Sequence, residues 1–191
     1  MTEPWITTYS GKQFYPAICS PDDISIKDIA HSLSNTCRYS GHCEPFYSVA
    51  EHCVRLSRLA PEHLKIYALL HDAPEALTGF GDVCSMMKHE AFYTLNALED
   101  IILHKIYVKF DIPFISNSDK LELKKIEDFL VAAEVRDLMP EECMRFMSLQ
   151  EPRQTTRIIP WPSKYSEMIY IEEYHRDMEL IKRQNKSIRY D

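Results

Sequence analysis

The chain has 191 residues, 45% of them hydrophobic and 27% charged, with a formal net charge of −7. That length supports one self-contained core, and the acidic balance excludes a broad basic surface for nucleic acid, whose affinity rests on neutralising phosphates. With only four glycines the chain holds neither GxGxxG nor GxxxxGK[ST], and no apolar run approaches the ~18 residues of a membrane span.

Residues 1–23 read as an irregular arm across the domain surface, punctuated by Pro4, Pro16 and Pro21, with strand character at Thr7-Thr8-Tyr9 and Phe14-Tyr15. Ile26, Ile29, Ala30, Leu33 and Cys37 then recur at helical spacing and predict a helix over about 25–37. Ser48-Val49-Ala50-Glu51 is a capping box that starts a second helix ending near Leu59. Pro61 suits a first turn, so a third helix is expected over about 62–77. Gly79 and Gly81 open a loop. A longer helix over 88–110 aligns Leu95, Leu98, Ile102, Ile106 and Phe110, and Pro113 stops it. Ser116-Asn117-Ser118-Asp119 caps a helix over about 119–139, and Pro140 opens a short one to about Met147. A turn-rich segment spans Pro152 to Pro162, Ser163 caps a last helix over about 164–183, and residues 184–191 form a polar tail. The expected architecture is all-α, a single domain over 1–191 with about seven helices.

The six cysteines, Cys19, Cys37, Cys43, Cys53, Cys84 and Cys143, form no CxxC, and Met1-Thr2-Glu3-Pro4-Trp5 lacks the basic start and apolar run of a signal peptide. Reduced thiols in a cytoplasm are expected.

The chemistry gathers around Leu69-Leu70-His71-Asp72-Ala73-Pro74-Glu75-Ala76. A His-Asp doublet closes an apolar run, and burying such groups is costly unless a metal or hydrogen-bond network takes them up. His71 and Glu75, four apart, face the same side of the third helix, with Asp72 about 100° around. His52, in Ser48-Val49-Ala50-Glu51-His52, comes from the preceding antiparallel helix. A fourth ligand is available from Glu127 or Asp128. Imidazoles mixed with carboxylates suit Zn²⁺, Mn²⁺, Co²⁺ or Fe²⁺ rather than Ca²⁺. Glu75 fits a general base one turn beyond the ligand pair, with Asp82 to assist. His31, His63, His89, His104 and His175 read as surface or satisfied histidines.

The order His…His-Asp…Asp/Glu on consecutive helices resembles the HD-domain phosphohydrolase superfamily. More locally the chain is similar to its short phage and bacterial branch, the 5′-deoxynucleotidases and dATP triphosphohydrolases. The matching stretches are Thr8-Tyr9-Ser10-Gly11-Lys12-Gln13-Phe14-Tyr15, Asp28-Ile29-Ala30-His31-Ser32-Leu33, Cys37-Arg38-Tyr39-Ser40-Gly41-His42-Cys43, Phe46-Tyr47-Ser48-Val49-Ala50-Glu51-His52, Leu70-His71-Asp72-Ala73-Pro74-Glu75-Ala76, Glu134-Val135-Arg136-Asp137-Leu138-Met139 and Pro160-Trp161-Pro162. They span nearly the whole chain in order.

The resemblance implies His52, His71 and Asp72 as metal ligands and Glu75 as the residue that assists the attacking water. Its fourth ligand is an aspartate seven residues before the Glu of Glu-x-Arg-Asp-Leu. Counting back from Glu134 reaches Glu127, with Asp128 beside it, so the pattern is departed from and Glu127 is favoured. It further implies Lys88 and Lys124 as phosphate-binding cations, Arg38 and His42 as nucleotide contacts, and Tyr39 as a base-stacking ring or a core tyrosine. The implied ion is Zn, Co or Mn. The implied activity is a deoxynucleotide phosphohydrolase, foremost a dATP triphosphohydrolase releasing deoxyadenosine and triphosphate, a reaction that depletes dATP where phage DNA carries 2-aminoadenine. A 5′-deoxynucleotidase is the alternative within the class, and a non-catalytic metal-binding regulator the alternative outside it. No nucleic-acid or membrane partner is expected. Tyr165, Met168, Ile169, Tyr170, Ile171 and Tyr174 exceed what one buried helix face needs, and relatives assemble as dimers or larger rings such as hexamers, so a homo-oligomer is expected.

Overall fold

A computed structural model describes residues 3–147 and 157–188, with side chains omitted at 85, 86, 89, 146 and 184–188. The fold is predominantly helical, with one two-stranded sheet among the described residues. No described helix is long and apolar enough to cross a membrane.

The N-terminal arm does more than drape over the surface. Strands β1 (Ile6–Thr7) and β2 (Gln13–Phe14) pair antiparallel, Ile6 opposite Phe14, and Phe14 is buried in the core. Asp28 pins the connecting turn by accepting from Ser10 N (2.7 Å) and Ser10 Oγ (2.8 Å). The hairpin lies so close to Gly79 that a Cβ there would stand 2.9 Å from Ile6 Cγ2, and Gly79 also has a φ of +83°. Both facts select glycine.

Helix α1 (Ile26–Asn35) buries Ile29, Ala30 and Leu33. Helix α2 (Val49–Leu59) follows, its Ser48 cap accepting from Glu51 N at 3.1 Å. The expected capping box is only half made. The Glu51 carboxylate turns away, accepting from Trp161 N (2.7 Å) and Arg55 Nε (2.8 Å). Glu51 thereby anchors the Pro160-Trp161-Pro162 segment to α2, and Arg55 lies over the Trp161 ring.

The third expected helix is broken. A 3₁₀ turn over Glu62–Leu64 leads into α3 (Lys65–Leu70), and α4 (Glu75–Thr78) starts only after a four-residue turn. Pro74 explains the break: it has no N–H to donate and its ring clashes with the carbonyl four residues back. The chain tightens to three-residue bonds, Ala73 N to Leu70 O and Glu75 N to Asp72 O. His71 and Asp72 therefore sit on a turn rather than in a helix.

The fourth expected helix also divides, into α5 (Ser85–Glu90) and α6 (Tyr93–Phe110). Phe92-Tyr93-Thr94 carries aromatic and β-branched residues of poor helix propensity, and Phe92 leaves helical geometry at φ −124°, ψ 45°. Helix α7 (Asn117–Leu138) is capped by Ser116, which accepts from Asp119 N. A short α8 (Glu142–Phe146) and a long α9 (Ser163–Ile188) complete the chain. Helix α9 runs past its expected end near 183. The last three tail residues and 152–156 of the turn-rich segment lie outside the described residues.

Helices α1, α2, α3 and α9 pack on one another, α7 crosses α2, and α6 packs on α4 and α5. Ile29, Leu33, Leu56, Ile66, Leu69, Leu70 and Tyr170 are among the largest fully buried side chains, each worth about 1.5–3 kcal/mol by area. Half of the apolar surplus on α9 is buried here, in Ile169, Tyr170 and Tyr174; Ile171 is half-buried, while Tyr165 and Met168 remain exposed. Tyr170 OH donates to Leu69 O (2.9 Å), which secures the end of α3 just before the His-Asp turn.

Candidate metal centre and its surroundings

The packing of α2 against α3 brings His52 beside the His71–Asp72 turn. His52 Nε2 and His71 Nε2 are 3.3 Å apart, His71 Nε2 is 3.1 Å from Asp72 Oδ2, and His52 Nε2 is 3.9 Å from the same oxygen. These three residues form a group able to hold a metal ion.

The tautomers follow from the partners on the far sides of the rings. His71 Nδ1 lies 2.8 Å from Ala68 O, a carbonyl that only accepts, so Nδ1 carries the hydrogen. His52 Nδ1 lies 2.6 Å from Glu134 Oε1. Burial pushes the Glu134 carboxyl up, but Arg38, His52 and Tyr47 outweigh it and hold it down at about 2. Glu134 is thus an acceptor and His52 Nδ1 a donor. Two Nε2 lone pairs and a carboxylate oxygen consequently face one another. Three acceptors at such separations need a positive charge between them. Burial disfavours positive charge on His71 and the Asp72 carboxylate favours it more strongly; a divalent cation would meet the same requirement.

Glu134 organises everything behind His52. Tyr47 OH donates to its Oε1 (2.8 Å), Tyr39 OH to its Oε2 (3.0 Å), and Arg38 Nε lies 3.3 Å from Oε2. Arg38 also reaches Asp72 Oδ2 at 3.5 Å. Glu134 was legible as more than a motif anchor: Leu130, Glu134 and Leu138 are spaced by four on α7, and both leucines are buried. An acid between two core leucines demands partners. Sequence reasoning missed that role, and with it Tyr47.

The predicted substrate residues divide. Arg38 is buried and committed to Glu134 and Asp72, so it belongs to the ligand scaffold. Tyr39 has its hydroxyl on Glu134 and its ring beside Arg38. His42 is exposed on the same turn. Ser40 Oγ donates to Asp82 O (3.4 Å), which ties this turn to the glycine loop. Cys37 and Cys43 close the turn as free thiols with Sγ atoms 3.4 Å apart.

Glu75 opens α4 and is buried. Its Oε1 accepts from Lys88 Nζ at 2.8 Å, whereas Oε2 is buried without a partner. Burial, with Asp72 and Asp82 adding to it and Lys88 opposing, raises its carboxyl to about 9. Lys88 is also 2.8 Å from Glu99 Oε2 on α6. Glu99 is a second residue that sequence reasoning missed. On one continuous helix Lys88 and Glu99 would stand about 16 Å apart along the axis. The break at Phe92 folds α5 onto α6 and brings them together.

Glu127 and Asp128 stand outside the His52–His71–Asp72 group. Both carboxylates pair with Lys124, at 3.3 Å and 2.9 Å, which leaves Lys124 a surface ion-pair partner on α7. Beside the glycine loop, Phe80, Val83, Phe92, Thr94, Leu95 and Leu98 line an apolar cavity of about 260 Å³.

Two bacterial proteins match the chain. It is 39% identical over 134 residues to the uncharacterized protein YfdR of Escherichia coli, covering 70% of this chain and 72% of that protein. It is 31% identical over 122 residues to an uncharacterized protein of Rhodobacter capsulatus, covering 59% and 61% respectively. No family profile matches the sequence.

Proposed function

The chain belongs to the family of the Escherichia coli protein YfdR, and we propose that it is a metal-dependent deoxynucleotide phosphohydrolase, foremost a dATP triphosphohydrolase. The observation that carries this reading is the convergence of His52 Nε2, His71 Nε2 and Asp72 Oδ2 with both Nδ1 hydrogens turned outward. Imidazole nitrogens with a carboxylate fit Zn²⁺, Co²⁺ or Mn²⁺. Such an ion supplies Lewis acidity toward a phosphoryl oxygen and toward water.

The chain's own residues supply the rest. Glu134 and Ala68 O hold the two imidazoles in one tautomer and one orientation. Arg38 balances the charge of Glu134 and Asp72. Glu75 Oε2, buried and without a partner, is the oxygen placed to accept a proton from the attacking water. Asp82 stands on the adjoining loop. Lys88 meets the phosphate charge, and the aromatic walls of the 260 Å³ cavity offer a face to the base. Glu127 is the fourth ligand we favour: it lies two turns before Glu134 on the same face of α7, whereas Asp128 is turned about 100° away. The exposed Tyr165 and Met168 are the residues left for a homo-oligomer contact.

One observation favours a 5′-deoxynucleotidase as the second reading. Lys88 and Lys124 are both held by carboxylates, which leaves less free positive charge for a triphosphate than for a monophosphate. Product analysis decides. The metal-loaded protein is incubated separately with dATP, dGTP, dAMP and ATP, and the products are resolved by chromatography. Deoxyadenosine with intact triphosphate from dATP supports the first reading, and turnover of dAMP with dATP untouched supports the second. No turnover of any of the four, with metal still bound by wild type and lost from His71→Ala, leaves a metal-binding regulator and overturns both.

A further inference from the structure

Lys88 is an unusual lysine. Its ammonium is buried and placed midway between two carboxylates, 2.8 Å from Glu75 Oε1 and 2.8 Å from Glu99 Oε2. Two of its three N–H groups are taken by these carboxylates. One cation thus serves two anions. Each carboxylate has its other oxygen, Glu75 Oε2 and Glu99 Oε1, buried and without a partner. A structural salt bridge in a protein interior satisfies its remaining lone pairs, because the desolvation cost is otherwise not recovered. This cluster does not.

The cluster sets two carboxylates against one cation, with Glu75 three residues beyond Asp72 in the chain. Lys is suited to this because its ammonium is a point charge on a flexible stem, with no fixed fork to match.

We propose that Glu99 is a positioning residue that holds Lys88 beside Glu75 until the phosphate of a bound nucleotide takes the place of Glu99 on the ammonium. The inference rests on the phosphohydrolase reading. In the resting state Lys88 donates to Glu75 and Glu99. In the loaded state the phosphate replaces Glu99 as the second acceptor, and the Glu99 carboxylate is left to water. Glu99 therefore competes with substrate for the lysine. Its removal tightens phosphate binding, and the tightening disappears when Lys88 is absent.

The test is a double-variant cycle on the full chain, preloaded with one equivalent of Mn²⁺ and titrated calorimetrically with inorganic tripolyphosphate. Wild type, Glu99→Gln, Lys88→Met and the double variant are compared, and thermal midpoints establish that each is folded. Glu99→Gln is expected to bind about tenfold more tightly than wild type, the scale of one charged hydrogen bond, and to add nothing in the Lys88→Met background. With dATP, Glu99→Gln lowers KM without raising kcat, a split that loss of stability alone does not produce. Unchanged binding in Glu99→Gln overturns the inference, as does tightening that persists without Lys88. Turnover of deoxynucleotides by a wild type that ignores tripolyphosphate overturns it while the phosphohydrolase reading stands. A wild type that neither binds tripolyphosphate nor turns over any deoxynucleotide overturns both.

Discussion

The two sides of the candidate centre are built on opposite terms. On the α2–α7 side, Glu134 is fully buried and fully engaged, with His52, Tyr47, Tyr39 and Arg38 all turned toward it. On the α4–α6 side, Glu75, Lys88 and Glu99 share too few hydrogens among too many oxygens. The first arrangement holds ligands still. The second stores unsatisfied polarity that a substrate or a water can relieve. Both Glu134 oxygens accept hydrogen bonds, whereas Glu75 and Glu99 each keep one buried oxygen without a partner.

That contrast is sharpest at Glu75. Glu75→Gln removes the proton acceptor and is expected to lower kcat by about 10²–10⁴-fold. Metal content, measured by elemental analysis, stays at the wild-type level. The thermal midpoint falls less than in Glu134→Gln, because Lys88 keeps Glu99 as an anion and the Gln carbonyl as an acceptor.

Glu134→Gln acts on the other side and gives the reverse pattern. It leaves the Arg38 guanidinium and the His52 imidazole without their anion, and breaking a buried pair costs about 3–5 kcal/mol. Metal affinity falls about 10–100-fold through the loosened His52. Denaturant unfolding and metal titration report the two effects. A Glu134→Gln protein as stable as wild type and holding metal normally would dissolve the distinction between the two sides.

The same carboxylate sets a pH dependence. Its folded value is near 2 against an ordinary 4.5, so its stabilisation is complete above about pH 4.5 and fades as pH falls toward 2. The loss is on the order of 3 kcal/mol. Unfolding free energies measured across that window should decline in wild type and decline less in Glu134→Gln.

The smallest effect separates neighbours on α7. Glu127→Gln is expected to weaken metal binding about tenfold, and Asp128→Asn, facing away, to change it by less than about twofold. Equal effects would remove the face argument for Glu127.

Much of this was legible before any coordinates. Period-3.6 spacing located α1 and the Ser48 and Ser116 caps located α2 and α7, since both signals are local; Ser163, expected to cap α9, is instead its first residue and donates to Asn35 Oδ1. His52, His71 and Asp72 stood out because polar groups beside apolar runs need a partner. The breaks in the third and fourth expected helices were harder to see. Pro74 was read as part of a helix, although its missing N–H forces the turn that presents His71 and Asp72 together. The break at Phe92 had only weak propensity to announce it.

What the sequence determined by itself was the helical class and the identity of three potential metal ligands, because periodicity and residue chemistry are properties of short stretches. What tertiary structure alone decided was who satisfies whom: Glu134 behind His52 across 82 residues, Arg38 on Asp72 across 34, and Lys88 divided between Glu75 and Glu99. Those pairings depend on how helices cross and where α5 folds back. The strength of a buried charge depends on its neighbours in space, which no local pattern specifies.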